Sequence, residues 1–273
     1  MKYESYRPPI AVILAAGIGS QMSPLTDDCP KCLLAVGGSV ILERTIRNCL
    51  SCGISQIVLV LGHRSDQVKQ FVDKTFRGIR VTYVINDQYR DTNSGYSLML
   101  AASAVGTADF VKIDADVVFD TQILRRLTDS DLPNVLCIDR NAVRAGDEVK
   151  IVTDDQMRVV KIGKSVDLKT AIGRSIGIDK ISAVTGPLLF AELGRMMDDA
   201  LHVRDDCEAA YERLIDKGIP FHTLDVTGLN CTEIDTAEDL AAANSLFRSP
   251  ITTVSRGQQR ALDEAAETEP NST

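Results

Sequence analysis

The stretch AVILAAGIGSQMSPLT at residues 11–26 decides the fold class, because an apolar run leads directly into a glycine-rich turn. Similar short apolar runs recur along the chain at residues 56–62, 81–86, 109–114 and 134–139. Stretches with helical periodicity lie between them, at about residues 40–52, 65–75, 95–105 and 120–128. Apolar strands that alternate with helices are typical of a mostly parallel sheet covered on both faces. We therefore predict an α/β, doubly wound fold.

The pattern changes after residue 146. EVKIVTDD and RVVKIGK read as two strands joined by a turn at Asp154 to Met157, and SIGIDKIS follows as a third strand. We expect these strands to form a β-rich layer added to the same sheet. Residues 1–248 then form one domain, and residues 249–273 lack apolar periodicity and read as a disordered C-terminal tail.

Composition excludes several classes of function. The 273 residues carry a net charge of −8, which is the wrong sign for a protein whose main task is to grip nucleic acid. The apolar runs are too short to span a membrane, and the polar start does not resemble a signal peptide. Seven cysteines without an export signal indicate a reducing compartment, so we expect a cytoplasmic protein. The sequence leaves a homodimer open.

The turn after the first strand is a candidate phosphate-binding loop. Gly17 and Gly19 allow the backbone to approach a ligand and to adopt positive φ, so that N–H groups can face phosphate oxygens. Lys31 supplies a positive charge nearby. A generic strand-to-helix turn would also contain such glycines. Met22 stands where a dinucleotide-binding G-x-G-x-x-G motif needs its third glycine, which disfavours an oxidoreductase.

Four cysteines offer a competing interpretation. Cys29 and Cys32, followed by Cys49 and Cys52, have the spacing of a zinc ribbon. The second pair, however, lies in a stretch with amphipathic helical periodicity, whereas ribbon ligands usually lie on tight turns. We therefore favour buried or incidental thiols over a zinc site.

Several motifs occur together in one order. LAAGIGSQMSPLT is followed by PKCLLAVGG, ILERTI, the Asp114-Ala115-Asp116 element and the late segment TEIDTAEDL. This series resembles the sugar-1-phosphate nucleotidyltransferase and small-phosphomonoester cytidylyltransferase superfamily over about residues 8 to 247. The segments after residue 146 are most similar to its phosphocholine and phosphonate cytidylyltransferase branch. The resemblance implies a single Rossmann-like, GT-A-like domain whose β-rich layer binds the acceptor.

The resemblance also implies a metal site. Asp116 would be the main Mg²⁺ ligand and Asp235 the second, with Asp114 as a neighbouring partner in the nucleotide site. Two carboxylates together with phosphate oxygens suit this hard cation. The alternatives are a strand-end turn at Asp116 and a helix-capping role at Asp235.

Further roles follow from the same resemblance. Lys31 would neutralise the triphosphate, and Lys164 and Lys150 would contact the phosphoryl group of the acceptor, although a hairpin lysine is often merely solvated. The candidate nucleotide-binding residues are Leu14, Ala15, Ala16, Gly17, Gly19, Ser20, Asn86, Asn93, Ser94, Ser97 and Asp114. The asparagines and serines among them can both donate and accept towards a pyrimidine base, or they can cap helices.

Two positions depart from the pattern. Gln21 stands where the family usually places an arginine that steadies the leaving pyrophosphate. Glutamine lacks the charge of arginine, so we expect weaker stabilisation of the pyrophosphate. Cys231 stands where many relatives have tryptophan. Because choline is usually bound in a cage of aromatic side chains, we expect an acceptor other than phosphocholine. The acidic run Asp205-Asp206-Cys207-Glu208 is a candidate partner for an ammonium group, or simply a solvated helix start.

We therefore predict a Mg²⁺-dependent cytidylyltransferase that transfers CMP from CTP to a small phosphonate or phosphomonoester. A sugar-1-phosphate nucleotidyltransferase and a non-catalytic nucleotide sensor remain the alternatives.

Overall fold

A computed structural model of the protein describes residues 7–141 and 148–248, so the predicted disordered tail at 249–273 lies outside the described residues. The strands are β1 (Ile10–Ala15), β2 (Ala35–Val36), β3 (Ser39–Val40), β4 (Gln56–Leu61), β5 (Arg80–Ile85), β6 (Phe110–Asp114), β7 (Val117–Phe119), β8 (Val135–Asp139), β9 (Lys150–Thr153), β10 (Val159–Gly163), β11 (Gly173–Ile181), β12 (His222–Asp225) and β13 (Cys231–Glu233). The α-helices are α1 (Ile41–Ser51), α2 (Ser65–Thr75), α3 (Ser94–Leu100), α4 (Ala102–Val105), α5 (Thr121–Thr128), α6 (Thr185–Met197), α7 (Cys207–Asp216) and α8 (Ala237–Leu246).

In the described part of the chain, nine strands form one mixed sheet. The path β10-β9-β11-β6-β1-β4-β5 is joined by β8, which pairs with β11 and β12. The pairs β1–β4, β1–β6, β4–β5 and β8–β12 are parallel, whereas β11 runs antiparallel to its three neighbours. This arrangement confirms the predicted doubly wound, mostly parallel α/β fold.

The added β-rich layer is also present. The predicted hairpin is β9 and β10, and it extends the edge of the sheet through β11. One predicted helix differs, because the stretch at 95–105 is divided into α3 and α4 at Ala101. The pairs β2–β3 and β7–β13 are not evident in the sequence, since strands of two or three residues carry too little periodicity.

Alternation along β1 shows how the sheet separates two cores. Ala11 and Ile13 pack into the cluster on one face, whereas Ile10 and Val12 pack into the cluster on the other. Burial on both faces explains why this strand reads as a continuous apolar run. Over the same described residues, we find no helix that combines the length and the apolar character needed to cross a lipid bilayer.

Candidate active site

A cleft of about 520 Å³ opens at the carboxyl ends of β1 and β6. Open α/β sheets bind ligands at this edge, because adjacent loops there diverge and leave a crevice. Leu14, Ala16, Gly17 and Gln21 form its wall on the side of the glycine-rich loop. Ala15 at the end of β1, and Gly19 and Ser20 in the loop, do not line the cleft.

The two glycines of the loop play different parts. Gly19 has φ of 71°, and a Cβ atom there would lie 3.2 Å from Cβ of Lys31. The hydroxyl of Thr26 donates to the Gly19 carbonyl at 2.7 Å, which fixes the turn. Gly17 does not adopt the positive φ that we expected, but a Cβ atom there would meet nothing within 4 Å. Gly17 therefore leaves open space for a ligand, and Gly19 makes the turn.

Lys31 links the loop to the two aspartates predicted to bind metal. Its Nζ atom lies 2.9 Å from Oδ2 of Asp116 and 2.7 Å from Oδ1 of Asp235. Burial alone would lower the pKa of Lys31, but the two carboxylates more than offset this effect and raise it. Lys31, which follows the loop, and both aspartates therefore meet at one point.

Pairing of two short strands brings the aspartates together. In the β7–β13 pair, Val117 lies opposite Glu233, and the Ile234 N–H donates to the Asp116 carbonyl at 3.0 Å. Asp235 lies two residues after the end of β13 and precedes a capping box formed by Thr236 and Asp239 at the start of α8. The Oδ2 atom of Asp239 in this box accepts the N–H of Asp235 at 3.2 Å. A fixed turn therefore directs the side chain of Asp235.

Glu233 adds a third carboxylate that the sequence analysis missed. Oxygen atoms of Asp116, Glu233 and Asp235 all lie within 4.8 Å of one another. Burial, with a contribution from the negative charges of Asp116 and Asp235, raises the pKa of Glu233 to about 7. The spacing Glu-Ile-Asp was the available signal, because residues two apart on a strand point to the same face.

Three close carboxylates match the preference of hard divalent cations for oxygen ligands. Among the described residues, the four cysteines of the ribbon-like pattern form no comparable group. Cys32 and Cys49 are buried in the core, and burial raises the pKa of the Cys32 thiol to about 12. The favoured interpretation of buried thiols agrees with this arrangement.

The segment predicted to read the base lines the cleft through Asn86, Asn93, Ser94 and Ser97. The Asn86 amide donates to Ser97 Oγ at 3.0 Å and accepts from the Gln88 N–H at 2.9 Å. Asn93 caps α3 by accepting the N–H of Ser94, and Ser94 Oγ accepts the N–H of Cys207. These side chains therefore hold the wall of the cleft together through their own hydrogen bonds.

The acceptor side departs from expectation at one lysine. Lys164 lines the cleft and pairs with Asp206 at 2.7 Å. Lys150 is buried within β9, where its Nζ donates to the Glu148 carbonyl at 3.0 Å, and it does not line the cleft. Lys150 therefore does not reach the acceptor space, because the strand turns its ammonium towards the backbone. Arg174, opposite it on β11, does line the cleft and was not predicted.

The acidic run at the start of α7, from Asp205 to Glu208, divides between two environments. Asp206 and Glu208 line the cleft. Asp205 instead contacts Nδ1 of His202 at 2.7 Å. Only part of the run can therefore face an ammonium group in the cleft.

Asp114 lies in a buried cluster beneath the cleft. The Nζ atom of Lys112, which is fully buried, lies 2.7 Å from Asp114 Oδ2, 3.3 Å from Glu208 Oε1 and 3.6 Å from Asp179 Oδ2. Gly177, with φ of 74°, passes so close to Asp114 that a Cβ atom would lie 2.3 Å from its carboxylate. Lys112 and Gly177 therefore fix the position of the Asp114 carboxylate, which also lines the cleft.

Comparisons with known proteins show which family the chain belongs to. The model of the MobA-like NTP transferase domain matches residues 11–210. The chain is 34% identical over 120 residues to a CMP-5'-(3-aminopropyl)phosphonate synthase of Streptomyces rubellomurinus, covering 44% of this chain and 19% of that protein. It is 26% identical over 237 residues to a 2-aminoethylphosphonate cytidylyltransferase of Lancefieldella rimae, covering 85% and 90%.

A solved structure shows the same fold. The CTP:phosphocholine cytidylyltransferase of Streptococcus pneumoniae superposes with a TM-score of 0.71 at 24% identity, covering 87% of this chain and 99% of that one. The match to the domain model extends over well over half of the chain, from β1 into α7. The protein therefore belongs to the family with a MobA-like NTP transferase domain.

Proposed function

We propose that the protein is a Mg²⁺-dependent cytidylyltransferase that transfers CMP from CTP to a small phosphonate or phosphomonoester and releases pyrophosphate. One observation carries the proposal: the ammonium of Lys31 bridges Asp116 and Asp235 beside the glycine-rich loop. The negative charge of the two carboxylates suits a metal ion, and the positive charge of the Lys31 ammonium between them suits a triphosphate.

The chain's own residues supply the metal site. Asp116, Glu233 and Asp235 would hold the ion, since their oxygen atoms are close together and are hard ligands. When bound, Mg²⁺ would neutralise phosphate charge that develops during transfer. Lys31 would then be free to turn its ammonium towards the triphosphate.

The transfer needs no covalent nucleophile on the protein. An anionic oxygen of the acceptor attacks the α-phosphorus of CTP and forms a new oxygen–phosphorus bond. The bond from that phosphorus to the bridging oxygen breaks in line, and its electron pair leaves with pyrophosphate. Because the attacking oxygen carries no proton in the dianion, the residues mainly position the reactants and neutralise charge.

The acceptor end of the cleft suits a molecule that carries both charges. Lys164 and Asp206 form an ion pair there at 2.7 Å, so a phosphonate and an ammonium could replace the two partners. The names of two relatives, an aminopropylphosphonate synthase and an aminoethylphosphonate cytidylyltransferase, support an aminoalkylphosphonate. Such an acceptor suits a chain without tryptophan better than choline does.

We also propose that the reaction takes place in the cytoplasm, since all seven cysteines are free thiols.

A second candidate function, a nucleotide sensor without turnover, is favoured by Gln21. This side chain lines the cleft where the resemblance implies an arginine, and it offers no charge to a leaving group.

The proposal is tested by incubating the protein with Mg²⁺, each NTP in turn, and a pool of 2-aminoethylphosphonate, 2-hydroxyethylphosphonate, phosphocholine and glucose 1-phosphate, followed by mass analysis of the products. We expect a CMP conjugate of a phosphonate or phosphomonoester. Conversion of glucose 1-phosphate with another NTP would identify a sugar nucleotidyltransferase instead. Binding of CTP without product from any acceptor would identify a sensor.

Two variants connect the activity to the site. Asp116→Asn and Asp235→Asn should each lower kcat about 100-fold or more, because they remove charged ligands of a metal that stabilises the transition state. Asp155→Asn, at an exposed position in the β9–β10 turn, is the matched control. Full activity in both site variants would refute the assigned metal site.

A further inference from the structure

Arg174 is the cationic side chain of the cleft that the proposed mechanism leaves unused. It lies on β11, and its side chain is only 13% exposed although it borders the cleft. A guanidinium carries five donors in a planar fork, so placing it in a wall is costly unless those donors find partners. The question is what those partners are.

The described residues around Arg174 provide charge but no hydrogen bond. Its Nε atom lies 4.0 Å from Glu148 Oε1, and Nη1 lies 3.8 Å from Glu233 Oε2. Both distances are longer than a hydrogen bond. The Nε atom is buried and has no hydrogen-bond partner. The two carboxylates thus hold the cation in place without accepting hydrogen bonds from its donors.

We propose that Arg174 is the residue that binds the phosphonate or phosphate group of the acceptor. The inference rests on the proposed function and assigns the acceptor's anionic end within that site. The planar fork of an arginine matches two oxygens of a phosphoryl group, and charge-assisted bonds of this kind are among the strongest in proteins. Lys164, also in the cleft wall, adds a second positive charge for a dianion.

The position of Arg174 also explains how the acceptor meets the nucleotide. Glu233, its neighbour at 3.8 Å, belongs to the carboxylate group with Asp116 and Asp235. An anion bound by Arg174 therefore lies beside the proposed metal site, where the α-phosphate must be attacked. This arrangement gives Arg174 the role that the sequence suggested for Lys150, which faces it across the β9–β11 pair.

A purely structural role makes a different prediction. If Arg174 only bridges Glu148 and Glu233, its loss should weaken folding or the metal group, and the KM values for CTP and acceptor should rise together. If Arg174 binds the acceptor, the acceptor KM alone should change. The ratio of the two KM values therefore separates the two roles.

The test compares Arg174→Lys and Arg174→Gln with the wild type, using CTP and 2-aminoethylphosphonate. We expect the acceptor KM to rise about tenfold or more in Arg174→Gln, and less in Arg174→Lys, because lysine keeps the charge but loses the fork. The KM for CTP should stay within about twofold, since the two carboxylates paired with Arg174, those of Glu148 and Glu233, lie outside the glycine-rich loop. Arg158→Gln is the matched control, because Arg158 is 51% exposed on the same β-layer and pairs with Asp154.

Two further measurements separate a failed inference from a failed function. Guanidinium ions added to Arg174→Ala should restore part of the acceptor affinity, which a structural defect would not allow. Binding of methylphosphonate, followed by broadening of its ³¹P resonance, reports the anion site without turnover.

Three combinations of results would reject the assignment of Arg174, the proposed function, or both. Turnover with an unchanged acceptor KM in Arg174→Gln, or with equal rises in both KM values, would overturn the assignment of Arg174. Absence of product from the wild type, with methylphosphonate binding that is lost in Arg174→Gln, would reject the cytidylyltransferase and keep the anion site. Absence of both product and methylphosphonate binding in the wild type would reject both proposals.

Discussion

The Nζ atom of Lys31 lies 2.7 Å from Oδ1 of Asp235, although 204 residues separate them in the chain. The same ammonium reaches Asp116 at 2.9 Å. One lysine thus forms ion pairs with two of the three carboxylates that could bind a divalent ion. It ties the first loop of the sheet to the segment before the last helix, and it competes with any metal for the same oxygen atoms.

This competition predicts opposite effects of Lys31→Gln on two measurements. Binding of Mn²⁺ to the nucleotide-free protein, measured by calorimetry, should become tighter, because the carboxylates lose their ammonium partner. Turnover with CTP should fall about 100-fold or more, since a positive charge near the triphosphate is lost. Lys74→Gln, at an exposed position on α2, is the control and should change neither value. Weaker binding of Mn²⁺ by the Lys31 variant would contradict the competition.

Gln21→Arg should raise turnover. Gln21 lines the cleft on the side of the glycine-rich loop, so an arginine there adds charge beside the leaving pyrophosphate. A gain of about 1 kcal/mol in transition-state stabilisation corresponds to roughly fivefold in kcat. Gln67→Arg, exposed on α2, tests whether added positive charge alone accelerates the reaction. An unchanged rate in a folded Gln21 variant would count against the arginine's role.

Lys112→Met should destabilise the fold strongly. Lys112 is fully buried and contacts three carboxylates, those of Asp114, Asp179 and Glu208. Removal of the cation leaves buried negative charge without a partner, which costs about 3–5 kcal/mol of unfolding free energy. Urea denaturation measures the loss.

A second substitution checks the cause of that loss. Adding Asp179→Asn to Lys112→Met removes one of the unpaired charges and should recover part of the stability. Lys161→Met, at an exposed position on β10, is the control for loss of a lysine. Equal stability of the single and double variants would show that packing of the lysine stem, and not its charge, dominates.

Glu192 gives the stability a defined pH dependence. Burial alone would raise its pKa, but hydrogen bonds and charges from Lys217 and Arg195 outweigh burial and lower the pKa to about 2. A lowered carboxyl pKa stabilises the fold above the ordinary value of 4.5, and this contribution disappears as the pH falls towards about 2. Glu192→Gln should therefore be less stable than the wild type at pH 7 by roughly 1–2 kcal/mol.

The difference between the two proteins should shrink between about pH 4.5 and pH 2, because the wild-type carboxyl then becomes neutral. Urea denaturation across this range measures it, provided that both proteins are folded at the start of each titration. A constant difference at all pH values would show that the ion pairs of Glu192 do not cause it.

Local patterns allowed much of the fold to be predicted. The strand at residues 56–61 is apolar at every position after Gln56, and the helix at residues 65–75 was predicted with its observed ends. Both features depend on neighbours along the chain. The strands β7 and β13 could not be predicted, since they are short and form only because each pairs with the other.

The sequence by itself determined the α/β order and the glycine-rich loop, because periodicity is a local property of the chain, and its resemblance to a known superfamily pointed to the carboxylates Asp116 and Asp235. The tertiary structure decided which charged groups meet: Glu233 joins the two aspartates, Lys150 turns away from the cleft and Arg174 borders it. These outcomes depend on strand pairing between distant segments, which sets the face on which each side chain lies. For Lys150 and Arg174, spacing along the chain does not contain that information.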